Sequence, residues 1–113
     1  MTNSGQLVFG VYNGTIYSVT TPRAYNDGAW HLVTATFAPR SGMRLYVDGA
    51  LITSGSAPGG ENITGYWRIG YDELNTWPSA PTSDHFSGLL AQVSIYDTVL
   101  SATQVTQAWQ ITR

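Results

Sequence analysis

"DGAWHLVTATFAPRSGMRLYVDGALITSG", residues 27–55, holds the most informative pattern in the chain. Residues 30–37, "WHLVTATF", are nearly continuous in β-branched, aromatic and other apolar side chains. Without a polar alternation, such a run predicts a strand buried on both faces. Residues 43–48, "MRLYVD", do alternate. Side chains of a strand point to opposite faces in turn. Met43, Leu45 and Val47 are therefore expected on one face, with Arg44, Tyr46 and Asp48 on the other. Asp48-Gly49 follows at once. That dipeptide favours a type I′ turn, whose two central residues need φ > 0, and it predicts a hairpin into "ALITSG", residues 50–55. Strands linked by turns this short pair antiparallel.

The same grammar extends outward. "QLVFGVY" (6–12) and "TIYSVTT" (15–21) flank Asn13-Gly14, a second hairpin signal. "APGGEN" (57–62) is a loop by composition, and "TGYWRIG" (64–70) reads as a short strand. Residues 71–85 carry Pro78 and Pro81 and no clear period, so they form a long loop. "FSGLLAQVSIYD" (86–97) reads as a further strand, with Leu89, Ala91, Val93 and Ile95 facing inward. The tail changes period. Ser101 and Gln104 have capping-box spacing, and Leu100 and Val105 occupy the two ends of a hydrophobic staple. Val105, Ala108 and Trp109 share one face of a helix of about two turns.

Composition excludes several classes. The chain has 113 residues, enough for one domain. Charged residues make up 11%, none of them lysine, and the net charge is −2. A nucleic-acid face needs a basic patch, which this balance does not supply. There is no cysteine, hence no disulfide and no thiol chemistry. No run approaches the roughly 18 apolar residues of a membrane span. The start, "MTNSGQ", lacks the basic and apolar regions of a secretory leader. A cytosolic chain, a trimmed precursor and an excised segment all remain open on this point.

With these motifs in order, a resemblance emerges. Residues 27–55 resemble the laminin-G-like, concanavalin A-like jelly-roll domains. Those domains carry a D-G-x-W-H-x-V strand, a short turn and an x-L-Y-V-D-G hairpin. "FSGLLAQVSIYDTVLSATQV" (86–105) resembles their closing strand and capped helix, and "YWRIGYDELNTWP" (66–78) looks like the bacterial, extracellular branch. The likeness runs from about Gly5 to Trp109. It implies an all-β, antiparallel jelly-roll β-sandwich with a short C-terminal helix. Two departures stand out. Family domains usually carry several strands before the segment that begins here at Gln6. The chain is thus read as a single domain over 1–113 or as the C-terminal portion of a larger one. Many members also have an Asp-Glu pair in the closing strand, where this chain has Ala91-Gln92.

Candidate chemistry is weighed against plainer roles. Glycoside hydrolysis needs paired carboxylates, and the only glutamates, Glu61 and Glu73, fall on separate loops. No G-x-S-x-G elbow occurs. His31 lies within a strand and reads as a hydrogen-bonded core residue rather than a base. No catalytic residue is assigned. His31 and His85 lack zinc spacing. Calcium at the sandwich rim is implied by the resemblance. Asp72, Glu73, Asn75 and Asp84 supply oxygens of the kind it takes within one loop, while Asp27 and Asp48 read first as turn residues. Tyr71, Trp77 and His85 offer flat faces for a sugar ring or protein surface, flanked by Asp72 and Asp84. Trp77 has a competing role as a plug at the core edge. Trp30, Trp67 and Trp109 are expected in the core. Asn13-Gly14-Thr15 and Asn62-Ile63-Thr64 match glycosylation sequons, the first fully accounted for by its turn.

The expected function is a non-catalytic recognition module of an extracellular or cell-surface protein. Its partner is a glycan or a protein surface, met by loop 71–85. The alternative is a structural or oligomerising domain that completes its sandwich with another copy or an adjoining domain.

Overall fold

The Asp48-Gly49 turn forms as expected. Val47 pairs with Ala50 across it, and the two turn residues take φ 53° and 79°. We describe a computed structural model covering all residues from Met1 to Arg113. It contains β1 (Gln6–Tyr12), β2 (Ile16–Ala24), β3 (Val33–Ala38), β4 (Gly42–Val47), β5 (Ala50–Gly55) and one helix, α1 (Ala102–Thr112). The strands form two antiparallel sheets, β1-β2 and β3-β4-β5. This is the sheet content of a concanavalin A-like β-sandwich with a short C-terminal helix.

The first hairpin differs in detail from its dipeptide signal. Tyr12 pairs with Ile16, leaving the three residues Asn13, Gly14 and Thr15 in the loop. Of these only Gly14 takes positive φ, at 98°. A three-residue loop with one glycine in that region is the next most common hairpin solution. It gives β2 the register that buries Val19 and Thr21.

Burial corrects the assignment of the central strand. Trp30 is 62% exposed and Val33 45% exposed, so the "WHLVTATF" run is not buried on both faces. That environment belongs to β4. Met43, Leu45, Tyr46 and Val47 are each at most 2% exposed. The reason is position: β4 has a hydrogen-bonded neighbour on either side, whereas β3 is an edge. Tyr46, expected to point outward with Arg44, is instead enclosed. A bulge in β5 between its pairings to Leu45 and Tyr46 shifts the register locally. Such an extra residue bends a strand and re-aims its neighbours.

The helix is longer than expected, 11 residues, and its cap is as read. Ser101 Oγ accepts from Gln104 N, and Gln104 Oε1 accepts from Ser101 N. Val105 is fully buried. Burying one such side chain contributes about 1.5–3 kcal/mol. Trp109 lies beside Gly49, and Thr106 Oγ1 donates to the Gly49 carbonyl at 3.1 Å, so the helix docks on the β4–β5 turn.

Two expected strands do not form. Residues 64–70 and 86–97 lie outside every strand, and a lone bridge between Tyr71 and His85 is the only ladder contact between them. Leu89 is 78% exposed, with Val93 and Ile95 more than half exposed, so their inward face is absent here. Trp67 and Trp30, expected in the core, are exposed. The physical reason is the lack of a neighbour. A strand is stable only with a ladder partner and a surface to cover.

Candidate functional site

Loop 71–85 is closed at its base by three short-range features. Asp72 N donates to Asp84 O, Phe86 N donates to Gly70 O, and Tyr71 opposes His85 in the bridge. Gly70 takes φ 83°, which turns the chain into this neck. The Tyr71 and His85 rings lie 4.7 Å apart, tilted 31°. Half of Tyr71 faces solvent. The neck thus presents an aromatic pair flanked by two carboxylates, Asp72 and Asp84.

Those carboxylates are partly engaged. Asp72 Oδ1 accepts from Arg68 Nη1 and from Glu73 N, both at 2.8 Å. Asp84 Oδ1 accepts from Leu74 N at 3.4 Å, at the long end of hydrogen bonding. In each case Oδ2 takes no hydrogen bond from the protein. Asn75 Nδ2 donates to Glu73 Oε1. A calcium cage needs several oxygens converging on one point. Here one acid faces an arginine and another an amide, and no group of three or more His, Asp or Glu side chains is placed to hold an ion. The arrangement of Asp72, Glu73, Asn75 and Asp84 therefore does not fit calcium as it stands.

Trp77 sits away from the neck. Its ring covers Gly10 of β1, where an added Cβ would collide with Cζ3. Val8, Gly10, Leu74, Trp77, Pro78 and Pro81 line an open cleft of about 200 Å³ there. Two turn bonds, Trp77 N to Leu74 O and Ala80 N to Trp77 O, set this tip, and Thr82 N donates to Asn3 Oδ1. The structure brings Tyr71, Asp72, Asp84 and His85 together, and leaves Trp77 half-buried against the sheet. Arg68 and Gly10 join the site unforeseen. Arg68 had a legible signal, four residues before Asp72. Gly10 had none, because its role depends on a long-range contact.

A second polar cluster joins two turns. His31 Nδ1 lies 2.7 Å from Asp48 Oδ2 and Nε2 lies 3.1 Å from Asp27 Oδ1. Asp48 also fixes the strand entry: its Oδ1 accepts from Leu32 N, and its own N donates to Leu32 O. Asp27 Oδ1 accepts from Ala29 N. The hydrogen bond to Asp48 raises the His31 pKa above its ordinary range, against an opposing desolvation and with further help from Asp27. Tyr25 meets His31 edge to face at 5.2 Å. Both carboxylates are held by backbone amides and by one imidazole, so the cluster is a clamp between turns.

With the fold and this geometry in view, the chain belongs to the laminin-G-like family of the concanavalin A-like lectin/glucanases superfamily, whose family model matches residues 1–106. Among individual proteins, it is similar to the sushi, von Willebrand factor type A, EGF and pentraxin domain-containing protein 1 of Rattus norvegicus, at 30% identity over 108 residues. The Mus musculus counterpart is 29% identical over the same length. In both cases the match takes in 83% of this chain and only 3% of the relative. In fold it is similar to the crystal structure of an S-layer domain-containing protein (residues 221–444) from Clostridium thermocellum. The TM-score is 0.57 at 22% identity, over 93% of this chain and 52% of that one. No helix is long and apolar enough to cross a membrane.

Proposed function

We propose that the domain is a non-catalytic recognition module of an extracellular or cell-surface protein, and that it binds a carbohydrate through the neck of loop 71–85. The single observation that carries this reading is the exposed Tyr71–His85 pair, with Asp72 and Asp84 next to it in the chain. Sugar rings offer an apolar C–H face and a rim of hydroxyl donors. An aromatic face takes the first, and the free Oδ2 atoms of Asp72 and Asp84 accept from the second. Membership of a family commonly used as a binding module supports the class, and the S-layer likeness is in keeping with a surface setting. Loops held on a rigid scaffold are where binding residues concentrate. Trp77 contributes by anchoring the loop tip on β1 and by walling the adjoining cleft.

The test is a screen of the purified chain on immobilised glycans, followed by calorimetry on the best hit. Tyr71→Ala is expected to weaken binding by roughly tenfold or more, the scale of one lost aromatic anchor. Asp84→Asn should weaken it less. Binding to no glycan, but to a protein surface lost with the same Tyr71→Ala change, would move the reading to protein recognition.

A further inference from the structure

The segment from Asp27 to His31 is closed on itself and tied to the β4–β5 turn through a single imidazole. His31 Nε2 lies 3.1 Å from Asp27 Oδ1, joining the two ends of the segment. His31 Nδ1 lies 2.7 Å from Asp48 Oδ2, fixing that end to the turn. Ionised carboxylate oxygens only accept hydrogen bonds, and a neutral imidazole has one N–H and one bare nitrogen. Both contacts are hydrogen bonds together only when both ring nitrogens carry protons. Few other polar contacts hold the segment. Residues 26–31 make no hydrogen bond between backbone groups. Gly28, at φ 82°, has nothing within 4 Å of where a Cβ would stand. The bond from Ala29 N to Asp27 Oδ1 is internal to the segment.

We propose that the segment from Asp27 to His31 is a proton-operated clasp: it is closed while His31 holds both ring protons, and it opens at Asp27, with Asp48 still engaged, once His31 holds one. The two contacts are unequal in the way this requires. The Asp48 contact is the shorter, and the Asp48 side chain is 28% exposed against 53% for Asp27. A carboxylate largely in water regains hydrogen bonds from solvent when its partner leaves, whereas a more enclosed one is left short. Asp48 is also fixed to β3's entry, its Oδ1 accepting from Leu32 N and its own N donating to Leu32 O. The remaining proton therefore stays on Nδ1. The groups that face His31 are Asp27 and Asp48 from the two turns and Tyr25 just after β2, edge to face at 5.2 Å. The Arg23 guanidinium lies 4.5 Å over that Tyr25 ring. Helix α1, docked on Gly49, carries no charged residue from Ala102 to Thr112. The carboxylates, Asp48 first, hold the imidazolium to higher pH than usual. The clasp is thus closed below the ordinary 6.5 and opens as pH rises through the raised value. The β4–β5 turn and α1 keep their places in both states.

NMR of the nitrogen-labelled chain, titrated from about pH 5 to 9, tests this. As His31 loses a proton, its Nε2 signal should move to the position of an unprotonated ring nitrogen, and Nδ1 should stay near that of a protonated one. The amides of Gly28, Ala29 and Trp30 should shift with the same midpoint, above 6.5. Those of Leu32, Asp48 and Thr106 should stay in place. Asp27→Ala changes a half-exposed side chain, so the circular dichroism should match that of the parent chain. It should lower the His31 midpoint, because Asp27 helps to raise it, and remove most of the shift at Gly28, Ala29 and Trp30. Loss of the proton from Nδ1 instead overturns the proposal, since Asp48 would then be the partner released. So does a shift at residues 28–30 that Asp27→Ala leaves intact, or one that Leu32 and Thr106 share, which would be a loosening of the whole clamp. Amides of 28–30 that hold still while His31 titrates overturn it as well.

Discussion

Residues 43–48, "MRLYVD", and residues 92–97, "QVSIYD", are alike on paper: short, β-rich, each carrying a Tyr and a Val and ending in Asp. Their fates are opposite. The first is the centre of a sheet, paired on both edges and almost wholly buried. The second touches no ladder and leaves its Ile and Tyr more than half exposed. Pattern makes a segment competent to be a strand. Partners decide whether it becomes one, because a strand's hydrogen bonds and half of its packing lie in other segments.

The sharpest way to break this contrast is a pair of truncations. Leu45→Ala should destabilise the chain by about 3 kcal/mol in urea unfolding, the range for a fully enclosed leucine. Leu89→Ala, at 78% exposure, should change stability by about 0.5 kcal/mol or less. Equal effects would mean that 87–100 is packed in solution. The turn gives the next largest effect. Gly49 has φ 79° and an added Cβ would lie 3.1 Å from Trp109 Cβ. Gly49→Ala should cost about 1–2 kcal/mol from backbone strain and crowding of the helix. Removing the helix cap with Ser101→Ala should cost about 1 kcal/mol, seen as a lower midpoint and reduced helical signal.

A pH series isolates the turn clamp from the loop. The folded-state pKa of His31 is raised, chiefly by its hydrogen bond to Asp48. Its contribution to stability is therefore fully present below the ordinary value of 6.5 and is lost as pH rises through the raised value. Asp27 is shifted the other way, first by the Ala29 amide and then by His31. Its contribution holds above the ordinary 3.8 and fades as pH falls through the lowered value. Thermal midpoints of the chain should decline on the alkaline side of 6.5, and His31→Gln should flatten that decline. A decline that survives the substitution would assign it to another group. The smallest expected effect is that of calcium. Midpoints in calcium and in chelator should coincide, because Asp72 faces Arg68 and the loop acids do not converge. An upward shift in calcium would mean that the loop rearranges around the ion, since only a ligand of the folded state stabilises it.

Much of the fold was written in local signals. The Asp48-Gly49 turn, the capped helix with buried Val105 and the five strands up to Gly55 each follow from neighbours in sequence. The turn length at Asn13-Gly14 and the double burial of β4 do not, because register and centrality depend on which strands lie alongside. At the site, residue types, the loop itself and a plugging role for Trp77 at the core edge were legible. The pairing of Tyr71 with His85 and the choice of Gly10 as the surface that Trp77 covers were not, since each is set by a closure or a contact made across the fold.

By itself, then, the sequence determined the family, the positions of turns and cap, and which loop carries the aromatic and acidic side chains. These depend on backbone preferences that act over a few residues. Only the tertiary structure decided which strand is central, which acids face a cation, and which apolar run stands uncovered. Those outcomes turn on non-local pairing, where one segment's polar groups and apolar face are satisfied by another, or left without a partner.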